Sequence, residues 1–221
     1  LTPETLQRNV RRFILFRLFF NARFYYPVFT ILFLDYGLTL EQFAILNMVW
    51  AVTIVLAEVP SGALADLFGR KKLLVFASCL MFLEMTLLVI VPIGPSTLLF
   101  IVFLANRIFS GLAEAAASGA DEALAYDSLK VLGREKDWPS VLEQVTRVVS
   151  IGFFVTMIFG ALAYDHELVN DVLSIFNQGW AISRTGAIRL PILLCLLTSC
   201  VVIYAAVGMR EIPKETIPGS S

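Results

Sequence analysis

Charged side chains are scarce in this chain, and neither sign dominates. Asp, Glu, Lys and Arg make up 16% of the 221 residues, whereas soluble domains average about 25%. The 17 cations and 18 acids leave a net charge of −1, so no basic excess indicates nucleic-acid binding. Hydrophobic residues make up 58%, and the mean hydropathy is +0.79. This composition predicts an integral membrane protein whose first partner is the lipid bilayer.

Cysteine and histidine are too few for an obvious metal or redox centre. Cys79, Cys195 and Cys200 lie inside apolar runs and match no metal-binding or redox spacing. The one histidine, His166, has acidic neighbours but no Ser/His/Asp arrangement around it. A nucleotide-binding motif is also absent from the sequence. The sequence therefore predicts no metal, no cofactor and no enzymatic activity.

Long apolar segments make up most of the sequence. A spanning helix needs about 20 mostly apolar residues, and six segments meet that length. We therefore predict an all-α membrane protein with six transmembrane helices. The segments 1–10 and 210–221 flank the bundle as a cytoplasmic N-terminal segment and a cytoplasmic tail or inter-half linker. The bundle covers 11–209, with spans at about 11–34, 41–65, 72–92, 97–124, 140–164 and 187–209.

Cations between the spans predict the orientation. With six spans, both termini lie on one side of the membrane. That side receives eleven cations and the other side receives two, Arg184 and Arg189. Because cytoplasmic loops are enriched in Lys and Arg, we expect both termini in the cytoplasm and the protein in the cell (inner) membrane. The eleven cations are Arg8, Arg11, Arg12, Arg70, Lys71, Lys72, Lys130, Arg134, Lys136, Arg210 and Lys214.

Seven charged residues fall inside the predicted spans, where each costs about 2.5 kcal/mol or more on insertion scales. Steps of three and four residues keep Arg107, Gly111 and Glu114 on one face of the fourth span. That face mixes charge with small residues, so we expect it to line a cavity or to pack tightly on another helix. The alternative is a set of salt bridges that only fixes helix packing. The seven residues are Arg17, Arg23, Glu58, Glu84, Arg107, Glu114 and Arg147.

The turn after the second span carries a specific pattern, GALADLFGRKK at 62–72. It resembles the motif between helices 2 and 3 of the major facilitator superfamily, G-x-L-A-D-[RK]-x-G-R-[RK]-[RK]. Leu67 departs from it, since a cation is usual there. The matching residues are Gly62, Leu64, Asp66, Gly69, Arg70, Lys71 and Lys72.

A second resemblance to this superfamily lies in the fourth span. Arg107, Gly111 and Ala115 match its helix-4 motif, although Ser110 and Ala113 replace the usual Gln and Gly. The fifth span lacks the Gly-Pro and Gly-Gly pairs of the drug–proton antiporters in the superfamily, which weighs against drug efflux. The resemblance implies the N-terminal six-helix half of the fold, built as a 3+3 inverted repeat. It also implies a secondary active transporter that moves a small solute by alternating access along a gradient.

The resemblance assigns two groups of residues. The motif at 62–72 implies a cytoplasmic gate in which glycines allow a tight turn and close helix approach, and in which Arg70 pairs with a nearby acid. Arg107 is the expected anion contact or charge relay, and Glu114 the expected proton-titrating group. Glu84, on an outer helix of the fold, ranks low. The gate residues are Gly62, Asp66, Gly69, Arg70, Lys71, Asp121 and Asp127. The cavity or ion-coupling residues are Arg17, Asn21, Arg23, Arg107, Ser110, Glu114 and Glu58.

The resemblance also predicts the partners of the chain and leaves alternatives open. Cations outnumber acids among the expected cavity residues, which favours an anionic small-molecule substrate, with proton coupling through Glu114. Six helices supply one wall of a twelve-helix transporter. The other wall comes from a C-terminal six-helix half or from a second copy of this chain. The remaining alternative is a non-transporting membrane scaffold or sensor that reuses the fold.

Overall fold

A computed structural model describes residues 2–176 and 179–213 and folds most of them into helices, with no β-strand in these ranges. The all-α prediction is confirmed. Lys214 and most of the predicted tail, 214–221, lie outside the described residues. The helices are α1 Pro3–Phe20, α2 Phe29–Tyr36, α3 Leu40–Phe68, α4 Arg70–Ile90, α5 Thr97–Ala117, α6 Ala120–Val131, α7 Trp138–Tyr164, α8 His166–Phe176 and α9 Arg184–Gly208.

Five helical segments among the described residues are long and apolar enough to cross a membrane. They correspond to α3, α4, α5 with α6, α7 with the short turn before it, and α9. Outside the first and fourth spans, predicted and observed helix ends agree within three residues. The structure therefore supports a membrane-embedded protein.

The predicted first span, 11–34, is not one continuous helix. α1 ends at Phe20, and Asn21 caps it because its side-chain amide donates to the carbonyl of Arg17 at 2.7 Å. A short 3₁₀ segment, Tyr26–Val28, follows before α2 begins. Pro27, which lacks an amide hydrogen, lies within this segment. The sequence prediction of an unbroken helix here is wrong.

The turns at the other helix ends are tighter than the sequence suggests. The predicted turn at 62–72 reduces to Gly69, whose φ of +96° favours glycine. Gly62 lies inside α3, and a Cβ there would meet no atom of the described residues within 4 Å, so none of these residues makes the expected close approach at Gly62. Gly119, with φ +72°, divides the predicted fourth span into α5 and α6.

Two hydrophobic clusters lie on either side of the break in the first span. One packs α1 against α4, α6 and α9, with Phe13, Phe16 and Met81 fully buried. The other packs α2 against α4, α5 and α9, around Phe33 and Phe103, whose rings meet edge to face at 4.7 Å. The break thus lies between two packed layers, and polar side chains brought there are removed from solvent.

Helix α7 approaches the break so closely that only glycine fits. A Cβ on Gly160 would collide with the backbone carbonyl of Phe24, whereas one on Gly152 would meet only the end of the Leu18 side chain. We therefore expect Gly160→Ala to destabilise the bundle by about 1–3 kcal/mol through overpacking, and Gly152→Ala to cost less because Leu18 can change rotamer. The apparent melting temperature of the detergent-solubilised protein measures both. Equal melting temperatures for the two variants would contradict this packing.

Candidate functional site

The break in the first span places a charge inside the bundle. Arg23 donates from Nη1 to Oε1 of Glu84 at 2.6 Å, and the two side chains are 2% and 0% exposed. The Glu114 carboxylate lies farther off, with Oε1 at 3.8 Å from Nη2 of Arg23. Asn106 donates its amide to the backbone carbonyl of Glu84 at 3.0 Å. Arg23 and Glu84 thus form a buried ion pair between the break and α4.

Hydrogen-bonding capacity remains unused in this pair. Nε and Nη2 of Arg23 and Oε2 of Glu84 are buried and make no hydrogen bond. Buried polar atoms usually have partners. Because Nη2 of Arg23 faces Glu114, it can donate a further hydrogen bond to that carboxylate.

Arg107 is a second buried cation, and its environment differs. Its side chain donates to Oδ1 of Asn106 from Nε at 2.9 Å and from Nη2 at 2.7 Å. The guanidinium carbon lies 5.5 Å from the ring centre of Phe29 and 5.2 Å from that of Phe33. Among the described residues, no carboxylate lies within 4.0 Å of it. Aromatic faces and an amide stabilise the cation but do not neutralise it.

Arg107 opens onto a pocket of about 380 Å³, which we call the aromatic pocket. Ser110 and Asn47 supply polar groups, and the other lining side chains are largely apolar. Such a pocket, with few polar groups placed to orient a ligand, is typical of small-molecule sites. The remaining lining residues are Tyr25, Tyr26, Phe29, Trp50, Phe153 and Met157.

A second pocket of about 510 Å³, the acidic pocket, adjoins the first through Trp50, which lines both. Arg17 lies here and pairs with Asp121 and Glu122, donating to Glu122 Oε1 at 2.6 Å. Glu58 and Glu114 also line it. One cation therefore faces four carboxylates.

The two pockets follow the length of α5. Arg107 and Ser110 line the aromatic pocket, while Glu114 and Ser118 line the acidic pocket. Ser118 follows Arg107 by eleven positions, a rise of about 16 Å, which is about half of a 30 Å hydrocarbon core. We call the linings of these two pockets together, from Arg107 to Ser118 on α5 and with Trp50 of α3 shared between them, the polar groove.

The predicted gate residues do not all lie together. Asp66, Gly69, Arg70 and Asp127 line one small cleft, where Arg70 forms an ion pair with Asp127. Asp121 does not join them, because it pairs with Arg17 in the acidic pocket.

The amino-terminal end of α4 has a cap that the motif does not contain. The Glu211 carboxylate accepts from the backbone amides of Arg70 at 3.2 Å and Lys71 at 2.7 Å, and so caps the helix.

Sequence reasoning missed several of these residues. Glu84 ranked low, yet it is the partner of Arg23. Trp50 and Glu211 carried no sequence signal, because their roles depend on which helices meet.

Arg147, one of the seven charges inside the predicted spans, lies outside both pockets. It pairs with Glu143 one turn away, and both side chains are about two-thirds exposed, 67% and 69%.

Comparisons with protein-family models, with curated proteins and with solved structures found no match to this chain. Within the described residues, no group of three or more His, Cys, Asp or Glu side chains is arranged to hold a metal ion.

The burial of the Arg23–Glu84 pair predicts strong coupling between the two residues. Glu84→Gln leaves Arg23 buried without its main counter-ion, and we expect a loss of about 3–5 kcal/mol in the free energy of unfolding. The double variant Arg23→Gln with Glu84→Gln should recover much of this loss. Unfolding in mixed micelles measures the cycle.

The exposed pair Glu143–Arg147 is the matched control. The same glutamine cycle there should give a coupling energy of no more than about 0.5 kcal/mol, since exposed pairs on one helix contribute little. Equal coupling energies at the two pairs would show that burial does not determine the strength of the Arg23–Glu84 interaction.

Proposed function

We propose that this chain is the N-terminal six-span half of a secondary active transporter of the major facilitator type. In this proposal α1 and α2 together form the first span, and both termini face the cytoplasm from the cell (inner) membrane. The transporter moves a small anionic solute by alternating access. The chain itself has no enzymatic role and no cofactor.

The polar groove carries the proposal. Charges that only fix helix packing need not reach a cavity, and Arg23 and Glu84 line neither pocket. Arg107 and Glu114 instead line adjoining pockets that extend over about half the thickness of the hydrocarbon core. Intramembrane charges that line a cavity are typical of solute and ion pathways.

The aromatic pocket indicates the substrate class. Arg107 is 3% exposed and lacks a carboxylate partner within the described residues. An anionic group of the substrate supplies the missing charge, and the rings around it favour an apolar or aromatic body. The substrate in this proposal is therefore a small monoanion with an aromatic or apolar body.

Glu114 is the proposed coupling group. Its side chain is 35% exposed to the acidic pocket, and its carboxylate lies 3.8 Å from Arg23. Protonation would remove its attraction for Arg23, and a proton gradient can thereby act on the break in the first span. The Arg70–Asp127 pair supplies the proposed cytoplasmic gate.

The proposal requires a second six-helix unit that covers the exposed apolar surfaces of α3 and α7. Only 6% of the apolar stretch of α3 and 17% of that of α7 is buried, against 50% for α4. Residues of both helices line the aromatic pocket, and residues of α3 also line the acidic pocket. A C-terminal half or a second copy of this chain would cover them, and the mass of the native polypeptide in its source membrane separates the two cases. About twice 24.6 kDa indicates a covalent second half.

Alternating access can be tested without knowing the substrate. We expect Asn47→Cys in the aromatic pocket and Ser118→Cys in the acidic pocket to react with a membrane-impermeant thiol reagent from both faces of the membrane. Labelling of the native protein in cells and in inside-out vesicles measures this. Cys79→Ala and Cys200→Ala remove the exposed thiols, and the buried Cys195 is retained.

The control for labelling is Leu197→Cys, at a position 65% exposed on the apolar surface of α9. A polar reagent should not reach it inside the bilayer. Labelling of the two pocket positions from one face only would contradict alternating access and support the scaffold alternative.

The substrate class predicts a charge requirement at Arg107. We expect Arg107→Gln to weaken binding of benzenesulfonate by about thirtyfold or more, because a buried charge contact is lost, while Arg107→Lys retains part of it. Quenching of Trp50 fluorescence measures binding in a Trp138→Phe, Trp180→Phe background.

Benzyl alcohol, a neutral analogue, and Arg147→Gln, an exposed cation removed from the same protein, serve as controls. The affinity for benzyl alcohol should be the same in the wild type and in Arg107→Gln. The affinity of Arg147→Gln for benzenesulfonate should equal that of the wild type. Equal affinity of the wild type for benzyl alcohol and benzenesulfonate would contradict an anion site at Arg107.

A further inference from the structure

Four cations converge on a pocket of about 310 Å³ where α1, α4 and α9 meet. Arg8 and Arg12 come from α1, Lys71 from the start of α4, and Arg210 from just beyond α9. Thr5 adds a hydroxyl group, and no acidic residue lines the pocket. We call it the basic pocket. It is separate from the polar groove and shares no lining residue with it.

The positive charge of the basic pocket is not neutralised by the described residues. None of its four cations forms an ion pair with them. The acid next to Arg210, Glu211, is used elsewhere, since its carboxylate accepts from the backbone amides of Arg70 and Lys71. Like charges held together repel, so the arrangement favours a bound anion.

The position of the basic pocket points to the bilayer. The Arg12 guanidinium lies against Gly208 and 5.9 Å from the ring centre of Tyr204. Tyr204 and Val207, near the end of α9, are 65% and 52% exposed. An apolar surface therefore adjoins the pocket where a spanning helix ends, which is the level of the lipid headgroups.

We infer that the basic pocket binds the phosphate group of an anionic phospholipid, with its acyl chains on the α9 surface around Tyr204 and Val207. Basic pockets between membrane helices on the cytoplasmic side suit such headgroups. Free phosphate offers the same charge but makes no use of the adjoining apolar surface. The inference does not depend on transport.

The test removes two cations without disturbing the fold. The side chains of Arg8 and Arg210 are exposed. Arg210 is anchored through its backbone, which exchanges two hydrogen bonds of 2.9 Å with the Asn9 amide. We expect Arg8→Gln with Arg210→Gln to weaken retention of phosphatidylglycerol by about tenfold or more. Native mass spectrometry of the whole protein, titrated with this lipid in a phosphatidylcholine background, measures retention.

The matched control is Arg11→Gln with Lys72→Gln, which removes two exposed cations from α1 and α4, two of the helices that meet at the basic pocket, but outside the pocket itself. This pair should retain the lipid as the wild type does. Equal loss in both double variants, or no loss in either, would overturn the site. Displacement of phosphatidylglycerol by millimolar inorganic phosphate would overturn the lipid as its source of phosphate.

Discussion

An arginine and a glutamate that meet inside the bundle fix the path of the first apolar segment. Arg23 and Glu84 are both removed from solvent, and either one alone would be a buried charge without compensation. Keeping them in contact holds the chain at the break between α1 and α2. The backbone next to Arg23 also contacts neighbouring helices. The Phe24 amide donates to Cys195 Sγ of α9 at 3.1 Å, and the Phe24 carbonyl packs on Gly160 of α7. The ion pair and the backbone beside it thus contact α4, α7 and α9.

The Arg23–Glu84 pair also explains why Arg107, unlike Arg23, has no carboxylate partner among the described residues. Glu84 is committed to Arg23, so Arg107 is left with the Asn106 amide and two aromatic rings. Asn106 connects the two sites, since it donates to the Glu84 backbone and accepts from Arg107. A change in charge at Arg107 therefore acts on the amide that also holds Glu84. Asn106 therefore connects Arg107 in the aromatic pocket to Glu84, the partner of Arg23 at the break.

Periodicity and composition predicted the parts of this arrangement that depend on one helix. The face carrying Arg107 and Glu114 follows from steps of three and four residues, and four of the six predicted spans agree closely with observed helices. The break lies in an otherwise apolar run that is long enough for one span, although Asn21 and Pro27 lie within that run. The ion pair that holds the break joins Arg23 to Glu84, sixty-one residues away along the chain. Glu211 was missed for the same reason: its role as a cap exists only once the end of α9 reaches the start of α4.

Charge along the polar groove constrains the proposed transport cycle. In the proposed cycle an anion binds at Arg107 and then has to pass the acidic pocket, where Glu58, Glu114 and two further carboxylates face Arg17. At an effective dielectric constant of about 20, one unpaired charge 4 Å away opposes it by about 4 kcal/mol. Neutralising Glu114 with a proton lowers that barrier and at the same time removes its attraction for Arg23, which stays paired with Glu84. We infer that movement of an anion and of a proton in the same direction is the cycle this charge order favours.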